Sequence, residues 1–274
     1  MRVRALCVTA LLLVSGSVSS ASAQETGEEI PFAGGTITIT ETPDYDKVVR
    51  FDGDEIGRDY QVWFRRTAEI GGTEVALISI GPGGNACGAN TLLVWPDGEG
   101  GVRTDKLPGD CGWPQPAVGD YAVFFVPWVG PGEEMPVRQW TPQDGFRMAG
   151  LLRFAPEPET GWSDLAATPA IHPLDYFSNA AFFADAQTVL GDELAEYALG
   201  LRVAAEMERR DGDLYAAIGC VPHNCGGADS LLVVDIATRK AWFAQMRGTD
   251  IAQWPAANQW SAEARDALRL LANP

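Results

Sequence analysis

The chain has 274 residues, 46% of them hydrophobic, and its 37 acidic against 20 basic side chains give a formal net charge of −17. This charge excludes general nucleic-acid binding, which needs a basic surface to neutralise phosphates. It favours solubility, and it also permits attraction to a strongly basic partner protein. The length suits two modest domains.

Residues 1–23 have the pattern of a secretory signal peptide. Two arginines precede an apolar stretch at residues 6–14, and small residues lead to the bond between Ala23 and Gln24. Cleavage there would leave 18 basic against 37 acidic residues, a charge of −19. We therefore expect a periplasmic or secreted protein without a membrane anchor.

Residues 24–154 are predicted to form a β-rich domain, to which the sequence assigns no role. Residues 36–40 alternate between apolar and polar side chains, as in a strand with one buried face. Short apolar runs separated by Gly and Pro predict further strands. The predicted strands cover residues 36–40, 60–64, 75–80, 91–95, 121–128 and 146–154.

The second half of the chain is predicted to be an α+β domain at residues 173–274, after a Pro- and Gly-rich linker at 155–172. An alanine-rich stretch at 174–199 predicts helices interrupted at Gly191, with Asp192 as the N-cap of the second. A strand at 213–219 and a hairpin formed by 230–236 and 240–246 follow. Ser261 is predicted to cap a final helix that ends near residue 272. The fold class is therefore α+β, with a β-rich N-terminal domain followed by an antiparallel sheet with helices.

Cysteine usage fits an oxidising compartment. Signal cleavage removes Cys7 and leaves Cys87, Cys111, Cys220 and Cys225, which allow three pairings. We favour the disulfides Cys87–Cys111 and Cys220–Cys225, because each of them joins two cysteines in the same half of the chain. Reduced metal-binding thiols are the alternative, although exported thiols usually oxidise.

The two halves share a faint internal similarity. A strand, a cysteine followed by glycine, and a second strand occur in the same order in residues 80–94 and 218–233. Duplication and chance explain this similarity equally well.

The segment Cys220-Val221-Pro222-His223-Asn224-Cys225 is the most informative part of the sequence. The chain-entropy estimate gives so small a ring only about 2 kcal/mol of stabilisation, the low end for a disulfide. Such a bond is better explained as a device that presents His223, with Pro222 stiffening the backbone and Asn224 tolerating left-handed geometry. A clip that merely joins two strand ends is the alternative.

No catalytic, cofactor or metal site is predicted. The chain has only two histidines, His172 and His223, and it lacks the G-x-S-x-G and H-E-x-x-H motifs and paired cysteine doublets at zinc spacing. Once the cysteines are oxidised, His223 is a single potential ligand. We therefore interpret the chain as a non-enzyme, and an envelope hydrolase with converging carboxylates is a remote third interpretation.

The Cys-x-Pro-His-Asn-Cys segment, with a strand before it and a hairpin after it, resembles the signature of the inhibitor-of-vertebrate-lysozyme (Ivy) family. Those bacterial periplasmic proteins block C-type lysozymes, and the resemblance covers residues 174–274. It implies a partner that is C-type lysozyme or another basic protein, and an inhibitory loop that enters its cleft. The implied loop residues are Cys220, Val221, Pro222, His223, Asn224 and Cys225.

Two positions depart from the family pattern. Family loops commonly carry lysine where this chain has Val221, and often aspartate where it has Asn224. An exported Ivy-like binding or structural module without lysozyme inhibition is therefore the alternative function.

Overall fold

The structure, a computed structural model, describes residues 27–83, 88–109, 114–210 and 212–272. The predicted signal peptide and the predicted Cys87–Cys111 disulfide lie outside these described residues. Within these ranges, none of the helices combines the length and the apolar character needed to cross a bilayer.

The N-terminal half consists, in the described ranges, of three four-stranded antiparallel sheets, each formed by strands that follow one another in the chain. The first sheet contains β1 (Glu28–Phe32), β2 (Gly35–Glu41), β3 (Lys47–Phe51) and β4 (Asp54–Asp59). The second contains β5 (Gln61–Ile70), β6 (Thr73–Gly81), β7 (Asn90–Pro96) and β8 (Val102–Lys106). The third contains β9 (Pro116–Val118), β10 (Val123–Phe125), β11 (Glu134–Thr141) and β12 (Gly145–Arg153).

The second sheet lies between the other two, and its central strands β6 and β7 are buried on both faces. Ile78 and Ile80 of β6 pack in a cluster with the first sheet, which contributes Ile37. The alternate residue Leu77 packs in a second cluster with Trp140 of the third sheet. Because successive side chains of a strand point to opposite faces, a strand buried on both sides needs an unbroken apolar run. The predicted strands at 75–80 and 91–95 are confirmed for this reason.

The C-terminal half contains one six-stranded antiparallel sheet in the described residues. Its strands are β13 (Val203–Ala204), β14 (Glu208–Arg209), β15 (Leu214–Cys220), β16 (Ser230–Asp235), β17 (Lys240–Arg247) and β18 (Asp250–Trp254). They are ordered β13-β15-β16-β17-β18, and β14 also pairs with β15. The described helices are α1 (Trp162–Ala167), α2 (Ala180–Leu190), α3 (Leu194–Leu199), α4 (Ala262–Asp266) and α5 (Arg269–Ala272). The predicted α+β class is confirmed.

Helices cover both faces of this sheet. Leu232 and Phe243 pack with aromatic residues of α1, α2 and α3 and of the 3-10 turn Pro173–Ser178. Leu231 and Trp242 face the opposite side, against α4 and α5. The chain thus buries both sides of β16 and β17, and the two strands are fixed in the sheet.

Several local predictions are confirmed and three are wrong. The hairpin of β16 and β17 is present, and the Ser261 Oγ accepts a hydrogen bond from the Ala264 N–H at 3.1 Å as the cap of α4. Asp192 is not an N-cap, because it lies inside the 3-10 turn Gly191–Glu193 that leads into α3. The predicted final helix is divided into α4 and α5, and the strand predicted at 121–128 is reduced to β10.

The linker interpretation does not hold for residues 162–167, which form α1. Trp162 and Leu165, three positions apart on this helix, are buried in the same cluster as α2. The surrounding Pro and Gly residues dominate the composition of the segment, and they obscured two apolar residues with helical spacing.

Candidate functional site

The cysteine loop leaves the C-terminal sheet at the end of β15 and returns at the start of β16. Cys220, the last residue of β15, is 7% exposed, and Val221 and Pro222 are half-buried. His223, Asn224 and the three residues after them are exposed. The loop therefore has an anchored base, and His223 stands at a solvent-exposed tip.

A disulfide joins Cys220 to Cys225, with the two Cα atoms 4.9 Å apart. Within the ring, the Asn224 N–H donates a hydrogen bond to the Val221 carbonyl oxygen at 2.9 Å, which closes a tight turn. His223 occupies the left-handed region in this turn, with φ of 64°. Such a conformation costs a non-glycine residue roughly 1–3 kcal/mol and persists only where the surroundings fix it. The ring and the turn supply that constraint.

Asn224 has a different role from the expected one, because His223 takes the left-handed conformation. The Asn224 carbonyl oxygen accepts a hydrogen bond from the Gly227 N–H at 3.2 Å. Its side chain lies so close to Gly227 that a Cβ there would be 2.7 Å from the amide oxygen. Asn224 thus covers the returning backbone, and a larger residue at position 227 would have to displace the Asn224 side chain.

Asp229 links the loop to the body of the sheet, and the sequence analysis did not identify it. Its side chain is only 4% exposed, and its Oδ1 accepts a hydrogen bond from the Gly226 N–H at 2.7 Å. Its carbonyl oxygen accepts a second bond, from the Met246 N–H of β17 at 2.8 Å. An aspartate three residues after a glycine, at the end of a loop, was the available sequence signal.

Buried polar contacts support the base of the loop from behind. The Ser230 Oγ donates to the Tyr197 carbonyl oxygen at 3.0 Å, and the Tyr197 hydroxyl donates to the Leu231 carbonyl oxygen at 2.8 Å. Burial raises the pKa of the Tyr197 phenol well above its ordinary value, so that it remains a neutral donor. The Gln245 Nε2 donates to the Ser230 Oγ and to the Glu196 carbonyl oxygen, at 3.2 and 3.1 Å. Helix α3 is thereby fixed to the strands that carry the loop.

The other histidine has a local structural role. The Nδ1 atom of His172 accepts a hydrogen bond from the Leu174 N–H at 3.2 Å, at the start of the 3-10 turn Pro173–Ser178. Across the described ranges, no three His, Cys, Asp or Glu side chains come together as a metal site.

Replacing Asp229 with alanine is expected to destabilise the chain by about 1–3 kcal/mol, because the Gly226 N–H loses its acceptor. The looser loop should also inhibit its target more weakly. Asp229→Asn is the matched control, since an amide oxygen can still accept that bond. Thermal unfolding of both variants and the parent measures the effect. Equal loss in the two variants would show that the charge, not the hydrogen bond, matters.

Two family models match the two halves of this chain, and a relative matches most of its length. Residues 33–153 match the family described as the Y4bG N-terminal domain. Residues 181–274 match the family described as Inhibitor of vertebrate lysozyme (Ivy). The uncharacterized protein y4bG of Sinorhizobium fredii is 28% identical over 226 residues, which are 82% of this chain and 83% of that protein. The N-terminal half of the chain is therefore similar to the Y4bG N-terminal domain, and the C-terminal part is similar to the Ivy family.

Proposed function

We propose that this protein is an exported inhibitor of C-type lysozyme that occludes the enzyme's active-site cleft with the His223 loop. One observation carries the proposal: within the region that matches the Ivy family, a histidine occupies the exposed tip of a disulfide-closed turn. This arrangement suits insertion into another molecule, because the histidine is exposed to solvent at the end of an anchored loop.

The chemistry of the target fits this tip. The cleft of C-type lysozyme holds two carboxyl groups at the scissile bond, one with a raised pKa that serves as acid and one that stays ionised. An imidazole has two nitrogen atoms and can hydrogen-bond both groups, which would exclude the sugar substrate. A turn that is already ordered loses little conformational entropy on insertion.

The charge of the chain supports the same target. C-type lysozyme is strongly basic, whereas this chain carries a net charge of −17. Complementary charge raises the association rate and selects the partner, and this contribution falls as salt screens it.

Export follows from the proposed target and from the predicted signal peptide. Disulfides persist in oxidising compartments such as the periplasm, and the Cys220–Cys225 bond belongs in such a place. In this location the inhibitor would protect peptidoglycan from a lysozyme that crosses the outer membrane.

A turbidity assay tests the proposal. The full-length chain, with its disulfide verified, is added to a purified C-type lysozyme that clears a suspension of bacterial cell walls. Dose-dependent slowing of the clearance supports inhibition. Undiminished clearance at a large excess of the chain would contradict it. That result would favour an Ivy-like binding module without inhibition, the alternative raised by Val221 in place of the family's lysine.

Replacing Val221 with lysine is expected to lower the inhibition constant about tenfold, because a hydrogen bond between charged groups is worth roughly 1.5–3 kcal/mol. Val221 is half-buried beside Pro222, and a lysine stem there can extend its ammonium group along the loop toward the carboxyl groups of the cleft. The control is Val189→Lys, which adds the same charge at an exposed position on α2. If both variants change the inhibition constant equally, net charge alone explains the effect.

A further inference from the structure

The N-terminal domain reaches the same end of the C-terminal sheet from which the loop projects. Val203, the first residue of β13, is the register partner of Cys220. β13 and β15 are antiparallel. Arg202, just before β13, therefore lies at the same end of the sheet as Val221, just after β15. Val203 itself is 51% exposed. The residues beside the base of the loop are therefore open to a partner.

Arg202 connects this edge to the N-terminal domain. Its Nη2 atom lies 2.6 and 2.7 Å from the two carboxylate oxygens of Glu133. Its guanidinium carbon lies 4.7 Å from the centre of the Trp128 ring. The neighbouring turn packs closely, since a Cβ on Gly132 would be 2.9 Å from the Ala195 nitrogen of α3. Trp128 is thus held against Arg202, which directly precedes the strand that pairs with Cys220, although its side chain is 58% exposed.

An exposed apolar stripe continues from Trp128 along the N-terminal domain. Phe124, Val126 and Trp128 are 36%, 47% and 58% exposed, whereas Val123 and Phe125, on either side of Phe124, are buried in the core. Alternate residues of an extended chain share one face. We name the stripe, together with Arg202 and Val203, the domain-junction patch.

We propose that the domain-junction patch is a second contact surface for the lysozyme that receives the loop, with Trp128 as its anchor. This inference rests on the proposed function. Each partner in a stable protein complex contributes about 800 Å² and 20–30 residues. A six-residue loop supplies only part of that area, and the enzyme surface around the cleft must meet the residues at the loop base. Trp128 is an exposed tryptophan there, and tryptophan is enriched among residues that dominate binding energy.

The charges around the patch fit a basic partner. Glu133 offsets the charge of Arg202, so the patch does not repel a cationic enzyme. Asp192, in the 3-10 turn before α3, and Glu196, within α3, are exposed, and Glu193 between them is paired with Arg247. The turn at Gly132 packs against Ala195 of α3, which brings the N-terminal part of this helix and its exposed carboxylates to the border of the patch.

The test compares two tryptophan variants of the full-length chain in the turbidity assay. Trp128→Ala should raise the inhibition constant about tenfold. Trp63→Ala is the matched control, because Trp63 is 38% exposed on β5 and also lies within 6 Å of a cation, Arg65. It should inhibit like the parent. If the parent and Trp63→Ala inhibit but Trp128→Ala is within twofold of them, the inference is overturned while the proposed function stands. If the parent itself does not inhibit, the proposed function fails and the inference fails with it.

Hydroxyl-radical footprinting of the unaltered chain gives an answer that does not depend on the folding of a variant. Bound lysozyme should lower the oxidation of Trp128 severalfold and leave that of Trp63 unchanged. Equal oxidation of Trp128 with and without lysozyme, under conditions that give full inhibition, would overturn the inference.

Discussion

Replacing His223 with alanine is expected to raise the inhibition constant for C-type lysozyme by about 30-fold or more, because truncating a central interface anchor costs roughly 2 kcal/mol or more. The imidazole is the group at the tip that can hydrogen-bond both cleft carboxyls. Its exposure means that the change removes no contact from the core. The fold should therefore survive, and the loss should appear in inhibition alone.

Two further variants separate the imidazole from the backbone it occupies. His223 has φ of 64°, which alanine tolerates less well than glycine. His223→Gly keeps this geometry without strain but lacks the imidazole, and it should lose inhibition as His223→Ala does. His172→Ala removes the other histidine of the chain and should inhibit like the parent. Full inhibition by His223→Ala would show that another part of the chain enters the cleft.

Hydrophobic periodicity predicted the elements that fill the two cores. The apolar run at 230–236 contains β16, which is buried on both faces between helices. The apolar run at 75–80 lies in β6, which is also buried on both faces. The loop was identifiable because its chemistry is local: two cysteines, a proline and a histidine within six residues fix a ring and its tip. Such features depend on residues that are close together in the sequence, so they can be recognised from the sequence alone.

Features that depend on distant contacts could not be predicted. Glu133 and Arg202 are separated by 69 positions, and nothing in either neighbourhood indicates that they meet. The short strand β13 lacks a pattern of its own, because its pairing with β15 decides its conformation. Asp192 follows a glycine and precedes helical residues, as an N-cap would, yet a 3-10 turn occupies residues 191–193 and α3 starts at Leu194, one residue later than predicted.

Replacing Phe182 with alanine is expected to lower the free energy of unfolding by about 3–5 kcal/mol, the usual cost of removing a buried phenylalanine. Phe182 is fully buried at the centre of an aromatic cluster. Its ring centre lies 5.5 Å from Trp162, 5.2 Å from Phe177 and 6.3 Å from Phe243. These partners come from α1, from a 3-10 turn and from β17, so that one ring of α2 joins α1 and the 3-10 turn to the sheet. Neighbours held by their own strands and helices cannot collapse fully into the space, and the remaining cavity adds to the loss of burial.

The matched control for Phe182→Ala is Val189→Ala on the same helix. Val189 is 36% exposed and alanine has the higher helix propensity, so its effect should stay within about 0.5 kcal/mol. Denaturant unfolding followed by tryptophan fluorescence measures both, because Trp162 leaves its buried site when this core opens. A loss below about 1 kcal/mol for Phe182→Ala would contradict a close-packed cluster. It would also contradict our assignment of α1 to the C-terminal domain, since the contact between Trp162 and Phe182 is the aromatic pair that connects this helix to α2.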